Sequence, residues 1–433
     1  MIAQLVGMVV IISVIALSIA LHEFGHLIPA KIFGVRVPEY AIGFGPTLLS
    51  RRIGETTFAW RLIPLGGFIR MIGMYPPARA ADRSGRLAQM AEEARAESMQ
   101  DVLPSDVQRT FYEKSVLQRI TIMLGGPAMN FLFAGVLFAV AVVGIGFQSG
   151  SNVVSNIAPC WFTQENPQGS VAADGSCVGG ESAAKQAGLG HGDVITAVNG
   201  HAVSGSQSMR DALGSLASDG KGTLTITAAD GTQRTSDVTF QMLSAREYYG
   251  DDTLPASETV PLIGVFTKPA RAHASITVVP RIMWNMTSAS AAALAQFPVK
   301  IYDLAHTLAT GGTRDPNGPV SVVGITRIGG EIAASDSGFA DKMLSILSLA
   351  ASLNLFLFLF NLLPLLPLDG GHVAGALWEA ARDRVRRIRG RTALGPVDTA
   401  RFLPATYAIA VLLIGVGSLV IVADIVKPIG LGG

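Results

Sequence analysis

Residues 2–26 read IAQLVGMVVIISVIALSIALHEFGH, and this stretch decides the class of the whole chain. From Ile2 to Leu21 there are 20 residues without one charged side chain. A helix of that length rises about 30 Å, the thickness of a bilayer's hydrocarbon core. The run ends in His22-Glu23-Phe24-Gly25-His26, an H-E-x-x-H pattern. On a helix, His22 and His26 stand one turn apart on one face, where two imidazoles can hold zinc. Glu23 lies beside that stripe and can reach a water at the metal. The pattern marks zinc hydrolases. Each ionisable group at mid-membrane costs about 2.5–3.5 kcal/mol on insertion scales, so a cluster there implies function. Pro29 withholds a backbone donor, so the helix is expected to end or kink just past the cluster.

Working outward, the composition agrees. The chain has 433 residues, 49% hydrophobic and 15% charged, where soluble domains carry about 25% charge. A net charge of +1 gives no field for nucleic acid. Two cysteines, Cys160 and Cys177, are too few for a cysteine-rich metal site. Any metal must therefore be held by histidine and carboxylate. The pair reads either as a disulfide or as two buried thiols. Residues 1–21 contain no Lys or Arg, and a secretory signal needs a basic start and a shorter core. The first run is thus expected to be a retained transmembrane helix.

Three more apolar runs bring the spans to four: 1–30, 116–148, 343–368 and 402–426. Segment 31–119 carries 13 Lys/Arg and 370–401 carries seven, whereas none lies between Arg119 and Lys185. Positive charge near span ends marks the cytoplasmic side. Segments 31–115 and 369–401 are therefore expected inside, and 149–342 and both termini outside. Lys342 and Lys427, at outer ends, are exceptions that can snorkel. The fold expected is a polytopic α-helical membrane protein with an extracytoplasmic α+β domain over 149–268. Strands are predicted around 222–227 and 237–240, a helix over 206–216, and turns at Asn199-Gly200 and Asp230-Gly231. Residues 269–342 read as a linker with an amphipathic helix, placed either on the outer membrane face or against the outer domain. Segment 75–110, rich in Ala, Arg and Glu, reads as a solvated helix or loop.

Two histidines do not complete a zinc site, which needs a third protein ligand and an open position. Asp369 is the only acid between Asp341 and Glu379, and is predicted at the end of the third span. The first and third spans run the same way, so His22, His26 and Asp369 reach similar depth near the cytoplasmic face. The plainer reading of Asp369 is a turn residue in Asp-Gly. His191, His201, His273, His306 and His372 are singletons and read as non-ligands, His372 being close enough to Asp369 to support it.

These motifs resemble the site-2 protease family of intramembrane zinc metalloproteases, in its bacterial group with a PDZ domain. The likeness rests on His22-Glu-x-Gly-His26, Gly43-Phe-Gly-Pro46, Pro64-Leu-Gly-Gly-Phe68, Gly125-Gly-Pro-x-x-Asn130, and Asn361-x-x-Pro364 leading to Leu368-Asp369-Gly370. Between the spans, Ser182 to Gly200 resembles the core of bacterial PDZ domains. Many members have proline three residues before the aspartate; here Leu366 stands there and Pro367 follows. The resemblance implies one zinc held by His22, His26 and Asp369, with Glu23 as acid/base. It implies cleavage of single-span membrane proteins such as anti-sigma factors after a first cut outside, with the PDZ domain gating by size.

A spanning helix hides its scissile amides, so substrate must be held extended. Residues 52–74 read as a hairpin entering the membrane. Family likeness gives that loop, with Gly66 and Gly67, and Asn361 a part in holding substrate. Asn130 reads either as facing the site toward substrate or as an interhelical hydrogen bond. Two rivals are weighed. A metal transporter needs paired polar sites along a path, and here there is one cluster. A membrane-tethered PDZ scaffold leaves the buried His22, Glu23, His26 and Asp369 unexplained.

Overall fold

The computed structural model describes residues 1–77, 86–99, 102–163, 169–177, 179–216, 219–249, 255 and 257–430. Within the expected solvated segment 75–110, residues 78–85 and 100–101 lie outside that set. The chain forms two compact units, residues 1–145 with 274–433, and residues 146–273.

The first half of the larger unit holds α1 (Ile2–Ile32), β1 (Glu39–Ile53), β2 (Thr56–Arg70), α2 (Arg86–Met99) and α3 (Val116–Ala139). The smaller unit holds β3 (Phe147–Ile157), α4 (Ala183–Gln186), β4 (Val194–Val198), β5 (His201–Ala202) and α5 (Ser206–Leu213). It continues with β6 (Lys221–Thr227), β7 (Gln233–Thr239), β8 (Gln241–Ser244), α6 (Ala245–Tyr249), β9 (Thr259–Leu262) and β10 (Val265–Ala272). The larger unit resumes with α7 (Val279–Thr310), α8 (Val322–Ala334), α9 (Phe339–Asn361), α10 (Asp369–Ile388) and α11 (Leu403–Val426).

Among the described residues, four helices are long and apolar enough to cross a membrane: α1, α3 with its continuation to Ile145, α9, and α11 with the turn before it. Their outer faces expose Leu5, Val9, Leu132, Val136, Val411 and Ile414. Apolar surface of that extent is stable against lipid, not water. Ser115 starts α3 with a capping box. Its hydroxyl accepts from the Gln118 backbone N–H, and the Gln118 side-chain Oε1 accepts from the Ser115 N–H at 3.0 Å.

The helices approach through small residues, as membrane helices do. A β-carbon on Gly7 would fall 2.4 Å from the Gly329 carbonyl of α8, and one on Gly25 would fall 2.2 Å from the Gly125 carbonyl of α3. Pro29 leaves the Gly25 carbonyl without its usual helical donor, and that carbonyl lies at this crossing. The helix nevertheless runs on to Ile32 and stops at Gly34, whose φ is +70°. Deeper, Asn354 of α9 donates to Ser18 Oγ of α1 at 2.9 Å, and both are fully buried.

Three boundaries differ from the sequence reading. The third span ends at Asn361, not at 368. Pro364 and Pro367 bar the helix from continuing, and a loop precedes α10. Asp369 is therefore the first residue of a separate helix, and the expected basic loop 369–401 is helical to Ile388. The hairpin begins at Glu39 rather than 52, and its turn is at Gly54-Glu55. Gly43 and Gly45 take φ of +89° and +85° and let β1 bend. Segment Glu39–Ile42 is then flanked by Thr57–Trp60 on one side and Gly67–Arg70 on the other. Finally, the linker holds two helices. In α7, Val279 and Met283 pack on Ala134, Leu137 and Phe138, so it belongs to the membrane unit and not to the outer domain. It exposes Trp284 and Tyr302.

Buried ion pairs brace both ends of this unit. Arg119 of α3 pairs with Glu379 of α10, whose other oxygen accepts from the Val397 N–H at 2.9 Å. At the other end Arg314 meets Asp424 at 2.7 Å, and Asp424 also accepts from the Ser321 backbone. Such pairs persist only where hydrogen bonds complete them. At the hairpin turn, burial would raise the Glu55 carboxyl, but bonds from Arg109 and Lys31 outweigh it and hold the group below the usual range.

The smaller unit is built on a sheet of order β10-β3-β4-β6-β7, with β5 pairing β4 and a separate β8-β9 pair. Val154, Ile195, Val198, Leu224, Ile226 and Phe240 fill its core. Asn199, at φ +48°, and Gly200 make the tight turn. Cys160 and Cys177 form a disulfide, which decides between the two sequence readings.

Candidate metal centre

One stripe of α3 explains the site. Ile122, Gly126 and Asn130 follow at four-residue spacing and so share a face, and that face lies against His22 and His26 of α1. His26 Nδ1 is 2.8 Å from the Ile122 carbonyl. A carbonyl only accepts, so Nδ1 carries the proton and Nε2 turns a lone pair into the site. Gly126 leaves room there: a β-carbon would fall 2.3 Å from His26 Nε2 and 2.8 Å from His22 Nε2. Asn130, 1% exposed, places its side-chain amide 3.2 Å from His22 Nδ1.

Asp369 completes the cluster from α10, where a carboxylate in the first turn suits the helix dipole. Its neighbours hold it there. A β-carbon on Gly370 would fall 2.3 Å from the Leu363 carbonyl and 2.4 Å from that of Leu362. The loop 362–368 thus folds directly onto the start of α10. Gly370→Ala is expected to shift Asp369 and weaken metal binding by about 1–3 kcal/mol, the usual cost of overpacking. Metal titration against a chelator checks this, and unchanged affinity contradicts it.

The three donors converge. His22 Nε2 and His26 Nε2 are 3.3 Å apart, and they lie 3.2 Å and 3.4 Å from the two oxygens of Asp369. Tetrahedral zinc with nitrogen and oxygen ligands separates its donors by about 3.3–3.5 Å. Asp369 Oδ2 is buried without a well-formed hydrogen bond despite its closeness to His22. That is how atoms face one another around a shared cation. Among the described residues this is the one such His/carboxylate cluster. The donor set therefore fits zinc.

Glu23 is partly buried beside the cluster, with the backbone of Ile69 in β2 close to its carboxylate. A β-carbon on Gly67 would fall 3.2 Å from Glu23 Cγ and 2.9 Å from Ile19. The hairpin edge thus reaches the acid. Gly66, at φ +117°, packs on the Phe44 ring. Tyr40 of β1 donates to the Ala20 carbonyl at 2.6 Å, tying the hairpin to α1. Asn361 is not brought to the cluster by its hydrogen bond: Nδ2 donates to Leu357 of its own helix at 3.1 Å. His372 lies one turn after Asp369 on α10. Sequence reading missed Ile122, Tyr40 and the space at Gly126, since a carbonyl and a void have no residue signature.

Comparison with known proteins agrees with this geometry. Residues 10–403 match the description Peptidase family M50. The chain belongs to that family. This M50 protease is 34% identical to the zinc metalloprotease Rip1 of Mycobacterium tuberculosis over 442 residues, 98% of each chain. It is 32% identical to Rip1 of Mycolicibacterium smegmatis over 439 residues, again 98% of each. Metalloprotease MmpA of Caulobacter vibrioides is 35% identical over 159 residues, 36% of this chain and 38% of that one. The M50 protease is thus a multi-pass membrane zinc metalloprotease of the site-2 type.

Proposed function

We propose that this protease hydrolyses peptide bonds within or near the transmembrane segment of single-span membrane proteins. His22, His26 and Asp369 hold one zinc ion and Glu23 is the acid/base. When bound, zinc supplies Lewis acidity, polarising a carbonyl oxygen and acidifying water. Glu23 takes the proton of the attacking water and hands it to the leaving amide nitrogen. The observation that carries the reading is the hairpin edge at Gly67 lying against Glu23. An extended substrate that adds to this edge by main-chain pairing arrives beside the acid, whatever its sequence. Gly66 and Gly67 keep that edge clear, and Asn361, at the end of α9, contributes to holding the substrate.

The charge pattern supports a cytoplasmic hairpin and α10, with residues 146–273 outside. The smaller unit is read as a PDZ domain. Its support is the Ser182–Gly200 motif and a cleft of about 880 Å³ between α5 and the edge strand β10, lined by Met209, Leu213 and Val265. In this reading it excludes substrates with bulky outer domains, so a first cut outside must come before. Anti-sigma factors and similar signalling proteins have this form. In proteoliposomes, a single-span substrate trimmed outside is expected to be cleaved at least about tenfold faster than the untrimmed one, or 1.4 kcal/mol in barrier. Deleting residues 151–266 should remove that difference. Equal rates for both substrates with the full chain overturn the gate.

A further inference from the structure

We infer that Asn130 is a positioning residue for His22. Its amide oxygen, not its NH2, faces the ring and accepts a hydrogen bond from Nδ1–H. This rests on the zinc reading above. His22 Nε2 points at His26 Nε2 and Asp369, so for zinc it must present a lone pair there. The single proton of the neutral ring then belongs on Nδ1, and only an acceptor can face it. The group in reach is the Asn130 amide, 3.2 Å away on a residue 1% exposed.

With Nδ2 toward His22, the hydrogen-bond roles conflict. Nδ1 would have to accept, which forces the ring proton onto Nε2, among the metal donors. In either orientation the outer atom of the amide is buried without a protein partner, so that position does not choose between them. Turning the amide by 180° leaves its shape unchanged and exchanges O for N. Oδ1 then accepts from Nδ1–H, and the NH2 takes the position where Oδ1 has no protein partner. The two ligand histidines are thus oriented by one helix through two kinds of carbonyl, the backbone of Ile122 for His26 and the side chain of Asn130 for His22. Removal of such an outer partner typically weakens metal affinity roughly 10–100-fold.

The test is zinc affinity of the full-length protein in detergent, by chelator competition. Asn130→Leu is expected to bind zinc roughly 10–100-fold more weakly. Asn130→Asp, which keeps an acceptor, is expected to stay within a few-fold of wild type. A leucine variant that binds zinc as wild type overturns the assignment. So does a variant pair in which Asp is no better than Leu. In the wild-type zinc protein, ¹⁵N NMR of labelled histidine is expected to show His22 protonated at Nδ1, with His22→Gln identifying the signal; a bare Nδ1 overturns the assignment even if Asn130→Leu does not fold. Zinc retained by His22→Ala would defeat the metal-site reading itself, a result distinguishable from failure at Asn130 alone.

Discussion

Glu23→Gln is expected to lower peptide cleavage roughly 10²–10⁴-fold, about 3–5 kcal/mol of barrier, with zinc content unchanged. Glutamine has the shape of glutamate, so it keeps the packing of Glu23 beside the hairpin at Gly67. In the proposed site Glu23 is outside the three-donor cluster, so its charge is not among those that hold the metal. What glutamine lacks is the capacity to take and return a proton. The check is cleavage of a membrane substrate together with metal analysis of the same preparation. Undiminished cleavage removes Glu23 from the mechanism. Loss of zinc as well assigns it to metal binding instead.

The second large effect is expected from Gly126→Ala. The added β-carbon meets Nε2 of both histidines, at 2.3 Å and 2.8 Å. Neither ring is free to swing away. His26 is tied to the Ile122 carbonyl and His22 lies against Asn130. Overpacking of this kind costs about 1–3 kcal/mol, a loss of roughly 5- to 150-fold in zinc affinity. Gly125→Ala is the contrast. Its β-carbon meets the Gly25 carbonyl at 2.1 Å, so it should force α1 and α3 apart and lower stability as well. Zinc affinity and thermal unfolding, measured on both variants, separate the two. Wild-type zinc affinity in Gly126→Ala means that the rings can relax.

Hydropathy is a reliable guide where length and absence of charge coincide, and the four spanning helices follow from it. The clustering of His22, His26 and Asp369 was legible too, because ionisable groups in apolar surroundings are costly and therefore conspicuous. The same measure is blind to backbone breaks inside apolar sequence. Leu362 to Leu368 is as greasy as the helix before it, and only Pro364 and Pro367 betray the loop. The sequence reading started the hairpin at 52, while the positive φ of Gly43 and Gly45 lets β1 bend and run from Glu39. The crossing at Gly25 and Gly125, and the Asn354–Ser18 bond between helices, depend on pairings that one chain's pattern does not state.

The cluster draws His22 and His26 from the first helix and Asp369 from a helix that begins after the third span. During synthesis the first helix is complete long before Asp369 leaves the ribosome. The nascent chain therefore holds only two of the three donors while its hairpin, its smaller unit and most of its spans are being made. With the zinc site proposed above, a protease put together in this order stays inert until nearly all of it is in place. It cannot attack its neighbours, or itself, halfway through insertion.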